Sequence, residues 1–243
     1  MNSGLYAACA GLLAQSQALD LAANNLANVN TTGYKGQFPS FRSILANSST
    51  GSNAVARAVN DFGVLGDSRT SVLQGNLEHT GNDLDFALDG AGWFAVETSN
   101  GRLYTRNGSF HVDTKGRLVT ADGNPVVGAQ GAITIPSGKL SVSADGTISV
   151  DGALAGQLQM VNFSPDTQLT PVGGSYFAAP AGSQTKAGNG EVVQGALENS
   201  NVNGISAAVG LVSLQRRADM LQQALTAFHS NFNRIAAQDL SRI

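Results

Sequence analysis

The feature that most constrains this chain is a change of apolar period along it, from seven to two and back to seven. Near the start, Leu5, Leu12, Leu19 and Leu26 recur every seven residues, with Cys9, Ser16 and Ala23 in the alternate seam positions. Near the end, Leu211, Leu214, Ala218, Leu221, Leu225, Phe228, Phe232 and Ile235 follow a 3-4-3-4-3-4-3 spacing without a miss. Both patterns predict helices with an a/d-like stripe. The second stripe would run roughly 36 Å at the helical rise per residue. A buried Leu or Phe contributes about 1.5–3 kcal/mol only when something covers it, and an isolated helix of this kind is marginal in water.

Between residues 70 and 180 the alternation is that of strands. Asp83-Leu84-Asp85-Phe86-Ala87-Leu88-Asp89 reads as a half-buried strand with its three carboxylates on the solvent face. Further strands are expected at Trp93–Val96, Leu118–Thr120, Ala132–Ile135 and Thr147–Val150. Asn100-Gly101, Asn107-Gly108, Asp122-Gly123, Asp145-Gly146 and Asp151-Gly152 are hairpin signals, because type I′ turns need positive φ at both central residues. Asn47–Asn53 and Pro180–Gly190 read as linkers.

The expected fold is therefore α+β, with N- and C-terminal helices pairing as a coiled-coil-like layer and a central antiparallel β domain between them in sequence. Residues 1–34 with 197–243 form the helical assembly domain. Residues 35–70 and 181–196 connect it to a β domain at 71–180.

Composition argues that much of the surface meets protein. Only 13% of residues are charged, against about 25% in typical domains. The first helix carries Asp20 as its one charge between residues 3 and 30, so it looks made to be surrounded. A net charge of −3 offers no broad basic field to nucleic acid or anionic lipid. A single cysteine, Cys9, excludes an intramolecular disulfide or a cysteine-based zinc site. No Lys or Arg precedes Lys35, so a signal peptide is not expected. No apolar run approaches the ~18 residues of a membrane span.

No catalytic constellation stands out. Asp83, Asp85 and Asp89 fail as a calcium loop, because Leu88 occupies the glycine position and Phe94 the position of the final Glu. Glu78 with Asp85 remains open as a glycosidase-type pair. His79, His111 and His229 are isolated, and neither Ser137 nor Ser175 lies in a nucleophile elbow. Arg102, Arg106, Lys115 and Arg117 read as scattered residues of hairpin faces. Neither cofactor nor metal is expected.

Ala23-Asn24-Asn25-Leu26-Ala27-Asn28-Val29-Asn30-Thr31-Thr32-Gly33-Tyr34-Lys35 resembles the ANNLANxxTxG[FY]K signature of bacterial flagellar rod and hook proteins. The resemblance continues through Gln74–Leu77, Thr80–Asn82, Leu84–Phe94, Tyr104–Phe110 and Leu197–Val202. It implies an axial structural subunit whose terminal helices form the inner layer of a hollow helical assembly, with β domains outside. The implied partners are copies of itself, other rod proteins and the flagellar export apparatus, with neither nucleic acid nor membrane insertion. The implied place is the periplasmic rod, reached without a cleaved signal peptide, with terminal helices largely disordered before assembly. Size suggests the proximal rod, with the distal rod as alternative. The expected assembly residues are Leu5, Leu12, Leu19, Asn24, Asn25, Leu26, Asn28, Gly33, Tyr34, Leu211, Leu214, Leu221, Leu225, Phe228, Phe232 and Ile235. Asn24, Asn25 and Asn28 would supply an uncharged hydrogen-bonding edge to neighbouring subunits. A secreted β-domain binding protein, or an enzyme using Glu78 or Asp85, are the competing readings.

Overall fold

A computed structural model describes residues 2–42, 64–99, 101–164, 167–183 and 185–240. Among these residues, helix α1 (Asn2–Ala27) comes first and helix α2 (Gly204–Leu240) last, with nineteen short strands between them in sequence. The Asn47–Asn53 linker lies outside the described residues. The chain divides into two compact units, one of Met1–Leu26, Gln37–Arg69 and Asn203–Ile243, the other of Ala27–Gly36 and Thr70–Val202.

In the first unit, β1 (Gln37–Arg42) pairs with β2 (Val64–Thr70), so the described ends of the expected 35–70 connection are sheet. Among the α1 residues whose side chains are described, Ala14, Ala18 and Asn25 are buried, Leu12, Leu19 and Leu26 are half-buried and Leu13 is exposed. The small residues thus mark the most covered face. On α2 the half-buried positions from Leu211 onward are Leu211, Leu214, Ala218, Leu221 and Leu225, and every described position between them is exposed. The two helices meet where Gln15 Nε2 donates to the Leu214 carbonyl at 2.9 Å. Asn203 caps α2, its Oδ1 accepting from the Ser206 N–H at 2.9 Å.

The second unit is antiparallel β. Its largest sheet has six strands, in the order β15 (Thr170–Gly173), β16 (Tyr176–Ala178), β6 (Gly101–Thr105), β5 (Trp93–Thr98), β14 (Met160–Phe163), β17 (Thr185–Ala187). A three-stranded sheet joins β11 (Leu140–Val142), β12 (Thr147–Val150) and β13 (Ala153–Gln157). Four pairs complete it: β3 (Leu77–His79) with β19 (Ala196–Glu198), β4 (Phe86–Asp89) with β18 (Glu191–Gln194), β7 (Phe110–Val112) with β8 (Leu118–Thr120), and β9 (Val127–Gly128) with β10 (Gly131–Ala132).

Strand β5 runs between two cores. Phe94 packs with Phe86 and Phe110, while Trp93 and Ala95 pack with Tyr104 and Phe177. Ring centroids of Phe94 and Phe110 lie 5.3 Å apart, and those of Trp93 and Phe177 4.9 Å, the range in which tilted aromatic pairs attract.

Three expectations are corrected. Residues 181–196 are not a linker, because β17 extends the large sheet and β18 pairs with β4. The acidic strand does not alternate: Asp85, Phe86, Ala87 and Leu88 are all buried, since both faces of β4 are covered. Among the described turns only Asp151-Gly152 has both residues at positive φ, 50° and 82°, joining β12 to β13. Asp122-Gly123 and Asp145-Gly146 place only the glycine there, and Asn107-Gly108 joins two different sheets.

Candidate functional site

The segment that follows α1 is drawn into the β unit and held by a buried ionic clasp. The turn at its head is closed by the Thr31 N–H and Oγ1, which donate to the Asn28 carbonyl and Oδ1 at 3.1 Å each. Gly33 turns the chain at φ 68° and donates its N–H to the Glu198 carbonyl at 2.7 Å. A Cβ at Gly33 would run into the Asn107 backbone nitrogen, so both conformation and space require glycine. Tyr34 beside it is 3% exposed.

Lys35 is then carried inside. Its ammonium donates to Glu198 Oε1 at 2.5 Å and to the Leu73 carbonyl at 2.7 Å. Glu198 also takes Arg106 Nη1 on Oε2 at 2.9 Å and the Gly75 N–H on Oε1 at 2.8 Å. Lys35, Arg106 and Glu198 are 1%, 3% and 0% exposed. Arg106 further donates to the carbonyls of Leu88 at 3.2 Å and Gly90 at 2.7 Å, and its guanidinium lies 5.7 Å from the Trp93 ring centroid. Its Nε, also buried, has no hydrogen-bond partner.

Two cations thus share one carboxylate in a buried setting. Burial pulls the Lys35 ammonium below its ordinary value; the Glu198 charge opposes that pull and Arg106 adds to it. Desolvation makes such a cluster a poor source of net stability, yet removing one member strands the others. Its yield is placement. Asn201 completes it, its Oδ1 taking the Gly36 N–H at 2.8 Å and its Nδ2 donating to the Leu73 carbonyl at 2.8 Å. The segments after α1, before β3 and before α2 are thereby tied in one place.

The three asparagines divide. Asn25 is buried, and its amide both donates to and accepts from the Gln37 backbone, at 2.7 and 2.8 Å. Asn28 is half-buried and closes the turn just described, whereas Asn24 is exposed. The outward amide edge is therefore corrected for Asn25, which serves its own chain. Leu12, Leu19, Leu26, Leu211, Leu214, Leu221 and Leu225 lie half-buried on the helices. The side chains of Leu5, Phe228, Phe232 and Ile235 lie outside the described residues. Sequence reading missed Arg106 and Glu198 as partners of Lys35. The available signal was that all three sit in resembling motifs.

The proposed acid pair has other engagements. Asp85 accepts from Thr80 Oγ1 at 2.6 Å and Asn82 Nδ2 at 3.1 Å, and Glu78 accepts from Asn199 Nδ2 at 2.8 Å. Among the described residues no group of three His, Cys, Asp or Glu side chains is placed to share a metal ion. None of their helices is long and apolar enough to cross a membrane.

Three family models match the chain: "Flagella basal body rod protein" at residues 5–35, "Flagellar hook protein FlgE/F/G D1 domain" at 87–150, and "Flagellar basal body rod FlgEFG protein C-terminal" at 193–238. The chain is 34% identical to the flagellar basal-body rod protein FlgG of Agrobacterium fabrum, over 91% of its own length and 94% of that protein's. It is 32% identical to the rod protein FlgF of Mesorhizobium japonicum over 89% of each. With the hook protein FlgE of Rhizobium meliloti it shares 42% identity over 43% of its own length and 25% of that protein's. The clasp is built from parts of these matched regions, with Lys35 in the first and Glu198 in the third. The chain belongs to the flagellar basal-body rod protein family and is a structural subunit, not an enzyme.

Proposed function

We propose that this chain is a proximal-rod subunit that polymerises through its terminal helices into a hollow helical shaft. Its partners would be further copies, other rod and hook proteins and, before assembly, the flagellar export apparatus. The observation that carries this reading is α2, a helix of 37 residues whose stripe Leu211, Leu214, Ala218, Leu221 and Leu225 is only half-covered in a single chain. A helix that long with an incompletely covered stripe gains stability when neighbours complete the cover. The clasp would serve assembly by fixing where the segments leading to α1 and α2 leave the β unit. Coiled-coil pairing of the helices is part of the same proposal, supported by the 3-4 spacing and by the Gln15–Leu214 hydrogen bond.

Similarity to a FlgG protein over 91% of the chain, beside that to a FlgF protein over 89%, keeps a second reading, a distal-rod subunit. Electron microscopy of basal bodies from a strain lacking the gene separates the two. A rod absent, or stopped close to the inner membrane ring, is expected for a proximal subunit. A longer stub lacking only its outer part would assign the chain to the distal rod. Intact, rotating flagella would overturn both.

A further inference from the structure

Helix α2 has a second apolar row. Ile205, Val209, Val212 and Met220 are 80%, 63%, 47% and 60% exposed, and with Arg216 they recur at intervals of four, three, four and four residues. At about 100° per residue this row lies roughly 170° around the helix from the Leu211–Leu225 stripe. Single exposed apolar residues need no explanation, but a continuous row marks an interaction surface.

Helix α1 carries a complementary row. Leu13 is 62% exposed, and Gln17, Asp20 and Asn24 continue its exposed side. Asp20 is the one charge among the 26 residues of α1. Leu13 and Asp20 are seven residues apart, the same separation as Val209 and Arg216. Laid parallel, the two rows set Leu13 against Val209 and Val212 while Asp20 meets Arg216, apolar on apolar and charge on opposite charge. The small and amide side chains Ser16, Gln17, Ala23 and Asn24 leave room for close approach.

One chain cannot make this contact with itself. Its own helices meet through Gln15 and Leu214, which lie on the opposite sides of both helices from these rows. We infer that the Ile205–Met220 row is covered by the Leu13–Asp20 row of a second copy. The inference rests on the rod-subunit reading and names the surface by which one copy receives the next.

The test uses full-length protein in a Cys9→Ser background. One population carries Leu13→Cys and another Val209→Cys; they are mixed, assembled, oxidised and pelleted. A disulfide-linked dimer in the pellet of the mixture, and in neither population alone, is the expected result. In a parallel series Arg216→Asp raises the concentration needed for assembly by about tenfold, and adding Asp20→Arg restores it. Pelleted polymer without the dimer, or charge changes that do not compensate, overturns the docking and leaves the rod reading standing. Failure of the unmodified chain to polymerise, alone or with rod partners, overturns both.

Discussion

At the scale of single residues, the clasp sets the sharpest expectations. Glu198→Ala leaves Lys35 and Arg106 as buried cations without their shared carboxylate. It should cost about 3–5 kcal/mol, read as a lower urea midpoint for the β unit. An unchanged midpoint would mean that the two cations reach solvent without loss. Gly33→Ala meets two penalties, a left-handed backbone worth about 1–2 kcal/mol and collision with the Asn107 backbone. Gly33→Asn relieves only the first, so comparing the two by thermal unfolding separates strain from collision. Gly33 and Lys35 stood out in the sequence within one motif. Their partners did not, because Lys35 and Arg106 lie 163 and 92 residues from Glu198, and periodicity carries nothing about contacts at that range.

At the scale of elements, the sequence was legible where one face of an element is covered and the other is wet. The α2 spacing is of that kind, and its half-buried positions follow it. It failed where both faces are covered. Just before β4, Asp85 is buried and held by Thr80 and Asn82, and Trp93-Phe94-Ala95-Val96 feeds two cores at once, so polarity no longer reports direction. The glycine-rich stretch from Pro180 hid strands for a related reason: strand pairing by backbone hydrogen bonds needs no apolar side chains. Turn chemistry offers a measurement. The Asp113 carboxylate accepts the Lys115 and Arg117 N–H groups at 2.8 Å each, and Asp145 accepts from the Thr147 N–H and hydroxyl. These bonds hold both carboxyls below the ordinary 3.8, led by the Arg117 backbone N–H for Asp113 and the Thr147 hydroxyl for Asp145. Since the folded value is the lower one, the support is present above the unfolded value and is lost as pH falls through the folded value. Carboxyl carbon shifts followed by NMR should place both midpoints under 3.8, and midpoints at or above it would contradict the turn geometry.

At the scale of the whole molecule, the two units should differ in how readily they open. In purified monomer, amides of β5, β6 and β14 should exchange slowly, and those of residues 211–235 should exchange fast and become protected on assembly. Slow exchange across 211–235 in the monomer would contradict assembly-coupled ordering. The clasp also gives the chain a sense of completeness. Lys35, β3 and β4 have as partners Glu198, β19 and β18, so the early part of the β unit stays unfinished until residues near 200 arrive. Contacts that close so long a loop slow folding relative to local ones. A chain delivered gradually from its N-terminus, by a ribosome or through a narrow conduit, would therefore keep its early strands unmatched for most of its passage. Its own sequence order would delay closure until residues near 200 are through.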